Sequence, residues 1–566
     1  MKSRRIVFCV IITAILAILF LLPIFLVVKG GFWTEEGFTF KYLLGVFQNP
    51  IYAEGLVNSF AIAAGTTFLT ICIALPLAWL SHKYEFWGKG FFSALILVPM
   101  ILPPFVGAIG MTQILGRYGV LNALLGTSID WIGQARYFGV IVIQALTLYP
   151  ILYLNTTAAL ANIDPAMDEA AANLGCPGIK RFFKITLPLI MPGLFAGGTI
   201  VFIWSFTELG TPLMLNYTKC APVQVFDALK EIGSNPFPYA LVFVVLSFSV
   251  LLYALGKFAF GRNSFAMQGK AAVNFTPEKL KGFRVLIAVV PFAVVSFLAL
   301  MPHFGVILTS LSAPGSWYKT VLPSVFTASN YTEVLGHEMA VSSISNSLLF
   351  ASVAVIVNLV LGVSIAFIVV RSKLKFAGIL DALAMIPLAV PGLVMAFGYL
   401  AISSWLSNLG CIRTNPFLSS VFDVRINPTL FLVIAYAVRR LPYMVRSAVA
   451  GLQQTSEAFE EAAANLGAAP SVTLRRITLP LITANLIAGI LLAFAFSMLE
   501  VSDSLMLAQQ ANYYPITKTI YELFQLLGTG KYIASALGVW AMVFLTVTIA
   551  GVSMLLGKKM GAIFRV

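Results

Sequence analysis

Apolar positions along this chain gather in long blocks rather than alternating with polar ones. Twelve blocks can be counted, at roughly 6-28, 56-81, 91-115, 137-160, 187-209, 237-258, 285-311, 343-370, 377-404, 428-450, 479-507 and 532-556. Each holds about 20 residues or more, and a helix rising ~1.5 Å per residue then crosses ~30 Å of hydrocarbon. In lipid every backbone polar group must be satisfied within the segment, so these blocks predict helices, and the fold class predicted is an all-α integral membrane protein. The first block, from Ile6 to Val28, is too long for a secretory signal and lacks a small-residue cleavage site, so it reads as a retained first span.

Composition agrees with that pattern. Of 566 residues, 59% are apolar and only 10% charged, and the mean hydropathy is +0.93; a soluble domain carries about 25% charged residues. The net charge of +14 is first a topology signal, because basic residues in short loops stay on the cytoplasmic side. Lys2, Arg4 and Arg5 place the N-terminus there, and every second loop afterwards is basic: Lys83 and Lys89; Lys180, Arg181 and Lys184; Lys257 to Arg284; Arg371, Lys373 and Lys375; Arg475 and Arg476; Lys558, Lys559 and Arg565. Both termini are therefore expected in the cytoplasm. A nucleic-acid footprint would need these charges clustered on a soluble face, so no nucleic-acid partner is expected.

The chain repeats itself. Glu169-Ala-Ala-Ala-Asn-Leu-Gly175 recurs 292 positions later as Glu461-Ala-Ala-Ala-Asn-Leu-Gly467. Each copy is followed at the same distance by one hexapeptide, Ile185-Thr-Leu-Pro-Leu-Ile190 and Ile477-Thr-Leu-Pro-Leu-Ile482. Asn58-Ser59, Pro99, Pro103, Pro150 and Glu208 likewise match Asn346-Ser347, Pro387, Pro391, Pro442 and Glu500. Six spans separate matching elements, so both halves cross the membrane in the same sense, as a parallel repeat about an axis along the membrane normal. The polar, basic stretch 261-282 reads as a cytoplasmic linker between a first half, 1-260, and a second, 283-566.

Each repeated phrase begins with helix-favouring residues and stops at a glycine. A short helix with small alanines lets another surface approach its backbone, and Glu169 and Glu461 offer a charged anchor. Such a helix suits docking; the bland alternative is an amphipathic helix lying on the membrane.

The pattern Glu-Ala-Ala, three residues, Gly, nine residues, Ile-x-Leu-Pro resembles the loop of membrane permeases in binding-protein-dependent ABC importers. The resemblance implies a type I, MetI-like fold of about twelve helices in two parallel six-helix repeats, in the bacterial inner membrane. It implies that Glu169, Ala170, Ala171 and Gly175, with Glu461, Ala462, Ala463 and Gly467, dock two copies of an ATPase subunit. An extracytoplasmic solute-binding protein is a further implied partner beside the lipid bilayer. The two-half fusion and the run Leu388-Ala-Val-Pro-Gly-Leu-Val-Met-Ala-Phe-Gly398 are similar to the ferric-iron branch, which also resembles thiamine and aminoethylphosphonate permeases. The implied cargo is ferric iron or a small phosphorylated or phosphonate compound.

No catalytic residue is expected in this chain. A phosphate-cradling loop requires Gly-x-x-x-x-Gly-Lys followed by Ser or Thr, and Gly88-Lys89, Gly269-Lys270 and Gly530-Lys531 are each followed by another residue. ATP and Mg would then be bound by the partner ATPases, with no cofactor in this chain. His82, His303 and His337 are scattered, and the five cysteines form no C-x-x-C pair, so no metal site is expected.

Two further sets of residues are candidates for the pathway or its gate. Pro99/Pro103 and Pro387/Pro391 each remove backbone donors inside an apolar block and predict a kink, for a path or for packing alone. Glu208, Glu500 and Asp503 are acids at the end of apolar blocks, either functional or solvated at the outer interface. The alternative overall reading is a twelve-span secondary transporter driven by an ion gradient.

Overall fold

The computed structural model describes residues 2–34, 37–100, 104–132, 136–232, 235–260, 277–372, 374 and 376–556. Pro103 and most of the linker, 261–276, lie outside the described residues. Among the described residues, eight helices are long and apolar enough to cross a membrane: Ile6–Phe32, Pro50–Lys83, Arg136–Ala161, Gly178–Phe206, Phe237–Leu255, Gly282–Ser310, Glu338–Arg371 and Gly530–Gly551. Three bent pairs raise the number to eleven: Lys89–Met100 with Phe105–Leu125, Ala377–Leu388 with Gly392–Ser407, and Pro470–Leu481 with Thr483–Met498. The remaining predicted block, 428-450, is the helix Thr429–Gln454. Arg439, Arg440 and Arg446 make it too charged to be counted with the others, and it survives as a buried helix because acids pair with all three.

The chain forms two compact units, residues 51–224 with 247–330, and residues 1–50 with 225–246 and 331–566. Each unit takes most of its helices from one sequence repeat and its first-span helix from the other. The spatial grouping and the repeat are thus different divisions of one chain.

In the first unit, Leu286–Ser310 packs along Pro104–Leu115. Gly110 makes this possible: a Cβ there would run into the Pro302 carbonyl oxygen, and one on Gly305 would meet the backbone of Gly110. Small residues at a helix crossing let backbones approach, which is how helices gain dispersion contact where no hydrophobic drive separates them from lipid. Gly193 and Gly197 do the same between Leu187–Phe206 and Arg136–Ala161, against Ala159 and Leu152. Tyr84–Glu85 pairs in parallel with Glu278–Lys279, tying the described end of the linker to the loop after Lys83.

In the second unit the first-span helices, through Phe32, pack on Gly392–Ser407. Here Gly398 lies against Pro23, and the Tyr399 hydroxyl donates to the Leu19 carbonyl at 2.9 Å. Cys9, Ile12 and Leu16 join Ile365, Leu380, Leu441, Met444 and Leu486 in one buried core.

The paired prolines of the second half do more than kink a helix. Pro387 sits in a 3-10 turn, Ile386–Leu388, Pro391 caps the next helix with extended backbone, and the axis turns by 101°. In the first half, Pro99 occupies the matching 3-10 turn, Val98–Met100. The Asn-Ser repeat has an equally local role. Ser59 Oγ accepts from the Ala221 backbone N–H at 2.8 Å, and Ser347 Oγ accepts from that of Ile516 at 2.7 Å. Asn58 donates to the Lys219 carbonyl and Asn346 to those of Asn512 and Tyr514. In both copies the dipeptide clips the start of a short helix onto a spanning one.

Candidate functional site

The repeated phrases fold alike. Pro165–Asn173 is a helix whose N-cap, Asp164, accepts from the Ala166 N–H at 2.9 Å, and Ala458–Asn465 is its counterpart. Both end in a Schellman cap: the Gly175 and Cys176 N–H groups reach the Ala172 and Ala171 carbonyls, and those of Gly467 and Ala468 reach Ala464 and Ala463. The glycines adopt φ of 77° and 81°, and nothing lies within 4 Å of a Cβ built at either. Backbone conformation, not crowding, is therefore what calls for glycine.

One face of each helix is turned to the protein and the rest is open. Ala171 and Ala463 are buried, while Glu169, Ala170, Glu461 and Ala462 are exposed. Leu174 is 88% exposed and Leu466 89%. A leucine left that bare at the same repeat position twice is an apolar knob that the described residues leave uncovered. Met167, Ile179 and Phe183 extend the first apolar surface and Phe459 and Val472 the second. After each cap the chain enters a π-helical turn, Phe182–Thr186 and Leu474–Thr478, which leads into the Leu-Pro hexapeptide and the next span.

The two helices are held differently. Asp168 pairs with Arg181 at 2.8 Å in the first. In the second, Arg371 is nearly buried and reaches Glu460 at 3.2 Å, the Leu452 carbonyl at 3.0 Å and the Thr455 carbonyl at 2.9 Å. The matching residue of the first half is Lys83, whose ammonium lies over the Trp79 and Tyr84 rings instead. Sequence reading missed Arg371 because it is remote from the phrase; Leu174 and Leu466 stood inside the phrase, and only their exposure marks them out.

The acidic candidates fall into two unlike nests. The Glu208 carboxylate accepts from the Gly210 and Thr211 N–H groups at 3.0 and 2.9 Å and from Gln144 at 3.3 Å. Gln144 in turn accepts from Ser205 and Thr66, so this nest is neutral apart from the acid. Glu500 pairs with Arg439 at 2.9 Å and with Arg440. Asp503 lies 3.7 Å from Arg439, and both of its oxygens lack a hydrogen-bond donor among the described residues. Glu500 and Asp503 are buried. Arg439 fills the space a Cβ on Gly392 would take, so the ion cluster abuts the break after Pro391. Among the described residues no three His, Cys, Asp or Glu side chains could hold a metal together.

Residues 70–264 and 358–558 each match the family described as binding-protein-dependent transport system inner membrane component. A ferric transport system permease protein of Actinobacillus pleuropneumoniae is 26% identical over 81% of this chain and 64% of its own length. An Fe(3+)-transport system permease protein of Haemophilus influenzae is 25% identical over 84% of each. A solved bacterial ABC transporter involved in import of the acidic polysaccharide alginate aligns with 49% of this chain and 98% of its own, at 16% identity and a TM-score of 0.35. With the family's domain matched twice across well over half of its length, the chain belongs to the inner membrane permease components of binding-protein-dependent ABC importers.

Proposed function

We propose that this permease passes a small solute, released by an extracytoplasmic binding protein, into the cytoplasm, driven by two copies of an ATPase docked on the helices Pro165–Asn173 and Ala458–Asn465. The observation that carries this reading is the duplicated helix that ends in the same Schellman cap with a bare leucine. Each Schellman cap fixes where Leu174 or Leu466 points, and a preorganised apolar knob beside an exposed glutamate loses little entropy on docking. ATP and Mg belong to the partner subunits, since the sequence holds no phosphate-binding loop. The halves 1–260 and 283–566, with their linker 261–282, are taken to lie with both termini on the docking side.

Ferric iron is the proposed cargo, on the names of the relatives above. Pro99, Pro103, Pro387, Pro391, Glu208, Glu500 and Asp503 are the proposed pathway and gate residues, for which the broken helix at Pro391 and the adjoining ion cluster give the physical ground.

The test is uptake of ferric iron by proteoliposomes holding the full chain, its ATPase and its binding protein. Leu174→Asp with Leu466→Asp should abolish both ATPase co-purification and uptake. Uptake that persists without ATP and collapses with an ion gradient would establish the secondary transporter instead.

A further inference from the structure

A second surface of the first unit carries the features of a protein contact. Span residues 136–161 separate the loop before Arg136 from the first docking helix by about 39 Å of helix, so the loop lies at the opposite end of that span. There the Tyr118 and Tyr318 rings pack at a tilt of 36°, with centroids 4.8 Å apart. The Lys319 ammonium lies 5.4 Å from one ring centroid and 5.6 Å from the other, and the Arg117 guanidinium carbon 5.9 Å from that of Tyr118. All four residues are exposed. Neither cation has an acidic partner among the described residues, and the segments 104–129 and 311–332 contain no Asp or Glu at all.

The loop bearing Lys319 is built to hold it. The Lys319 N–H donates to the Tyr118 carbonyl at 3.1 Å, joining two loops about 200 residues apart in sequence. Lys319 itself has φ of 54°, one of only two non-glycine residues in that region among the described residues. That conformation costs of order 1 kcal/mol or more and persists only where the surroundings over-determine it. They do so here. Ala313 and Thr327 donate to Val325 and Leu311, Asn330 donates to the Ser310 and Ser312 carbonyls at 2.8 and 2.9 Å, and Gln113 donates to the Trp317 carbonyl. Leu322, Val325 and Phe326 of the same loop stand exposed.

We propose that Arg117, Tyr118, Tyr318 and Lys319 form a docking surface for a carboxylate-bearing face of the extracytoplasmic binding protein. Tyrosine and arginine are the residue types enriched in protein interfaces, and two unneutralised cations on a rigid support favour an acidic partner in both rate and register. A lipid headgroup would also accept Lys and Tyr, but snorkelling side chains need no strained, multiply pinned backbone. This inference rests on the importer reading above.

The test uses the full chain with its ATPase in nanodiscs, titrated with its binding protein. Arg117→Glu with Lys319→Glu should weaken that binding about tenfold or more and flatten its salt dependence, while basal ATPase stays unchanged. Lys319→Gly removes the ammonium and the strain together. It should fold at least as well as the parent and still lose binding-protein affinity, whereas a Lys319 that serves only the loop would leave affinity intact. Unchanged affinity in both variants overturns the proposal. So does a change seen only with anionic against neutral lipid, which would make the patch a membrane anchor. The docking-helix variants keep the two readings apart: if Leu174→Asp/Leu466→Asp stops uptake while the patch variants are silent, only this inference fails.

Discussion

A Cβ placed on Gly398 would stand 2.7 Å from the Cβ of Pro23, so the first span and the helix Gly392–Ser407 meet backbone to backbone. Gly110 and Pro302 make the equivalent contact in the other unit. Each close approach joins a first-span helix to the broken span of the other repeat, and a side chain at either glycine would have to push two helices apart. Gly398→Ala and Gly110→Ala should therefore each cost about 1–3 kcal/mol by overpacking. Gly90→Ala, which meets nothing within 4 Å, is the control. Thermal unfolding of the detergent-solubilised protein, followed by tryptophan fluorescence, checks this. Equal melting temperatures for all three variants would contradict it.

The docking helices predict a different kind of sensitivity. At Gly175 and Gly467 the space is open and only φ is demanding, so Gly→Ala should leave the melting temperature of the whole protein unmoved. Locally it costs roughly 1–2 kcal/mol by forcing an alanine into left-handed backbone, which redirects Leu174 or Leu466. ATPase co-purification should fall by about tenfold per 1.4 kcal/mol of lost docking energy, and Gly→Asn should restore part of it because asparagine tolerates that region.

Arg371 and Lys83 occupy matching positions yet hold their loops by different means. Arg371 spends its guanidinium on two backbone carbonyls and Glu460 at once, a fork no lysine can reproduce. Arg371→Lys should lose hydrogen bonds to a charged group, about 1.5–3 kcal/mol, and raise amide exchange across the turn and helix from Thr455 to Gly467. Lys83→Ala removes only an exposed-side cation–π contact worth about 0.5–1 kcal/mol, so exchange across Pro165–Asn173 should change little.

Helix positions were legible because lipid forces long apolar blocks to be helical, and the repeat was legible because its spacing is preserved. Among the described residues, eight of the twelve blocks form single helices of the length and hydropathy expected of spans, and three more do so as bent pairs. Thr429–Gln454 is the instructive one, since its arginines are neutralised by acids from elsewhere in the chain, a pairing that hydropathy along the sequence does not register. The prolines announced a kink, but the size of the break and the arginine seated beside Gly392 depend on packing that local sequence does not encode. The exchange of first spans was equally hidden, because Pro23 and Pro302 carry no signal until the glycines they touch are known. In the docking loops the sequence marked the right residues and left out their anchor, Arg371, which lies 86 positions before Glu457 and reaches it only through the fold.

Glu208 and Glu500 match in sequence but not in what surrounds them, and their variants should separate accordingly. Glu500 balances Arg439 and Arg440 in a buried cluster, so Glu500→Gln leaves two guanidiniums facing only Asp503. Breaking a buried pair by removing one partner costs about 3–5 kcal/mol, enough to lower expression and melting temperature sharply. Glu208 accepts from two backbone N–H groups and from Gln144. A glutamine there keeps one carbonyl oxygen for the N–H donors, and its loss should be about 1 kcal/mol. Replacing Arg440 by Leu together with Glu500→Gln should recover part of the stability lost in Glu500→Gln alone, because the uncompensated charge goes with it. Thermal unfolding of the three variants measures this directly, and a Glu208→Gln protein as unstable as Glu500→Gln would show that the two nests are electrostatically alike.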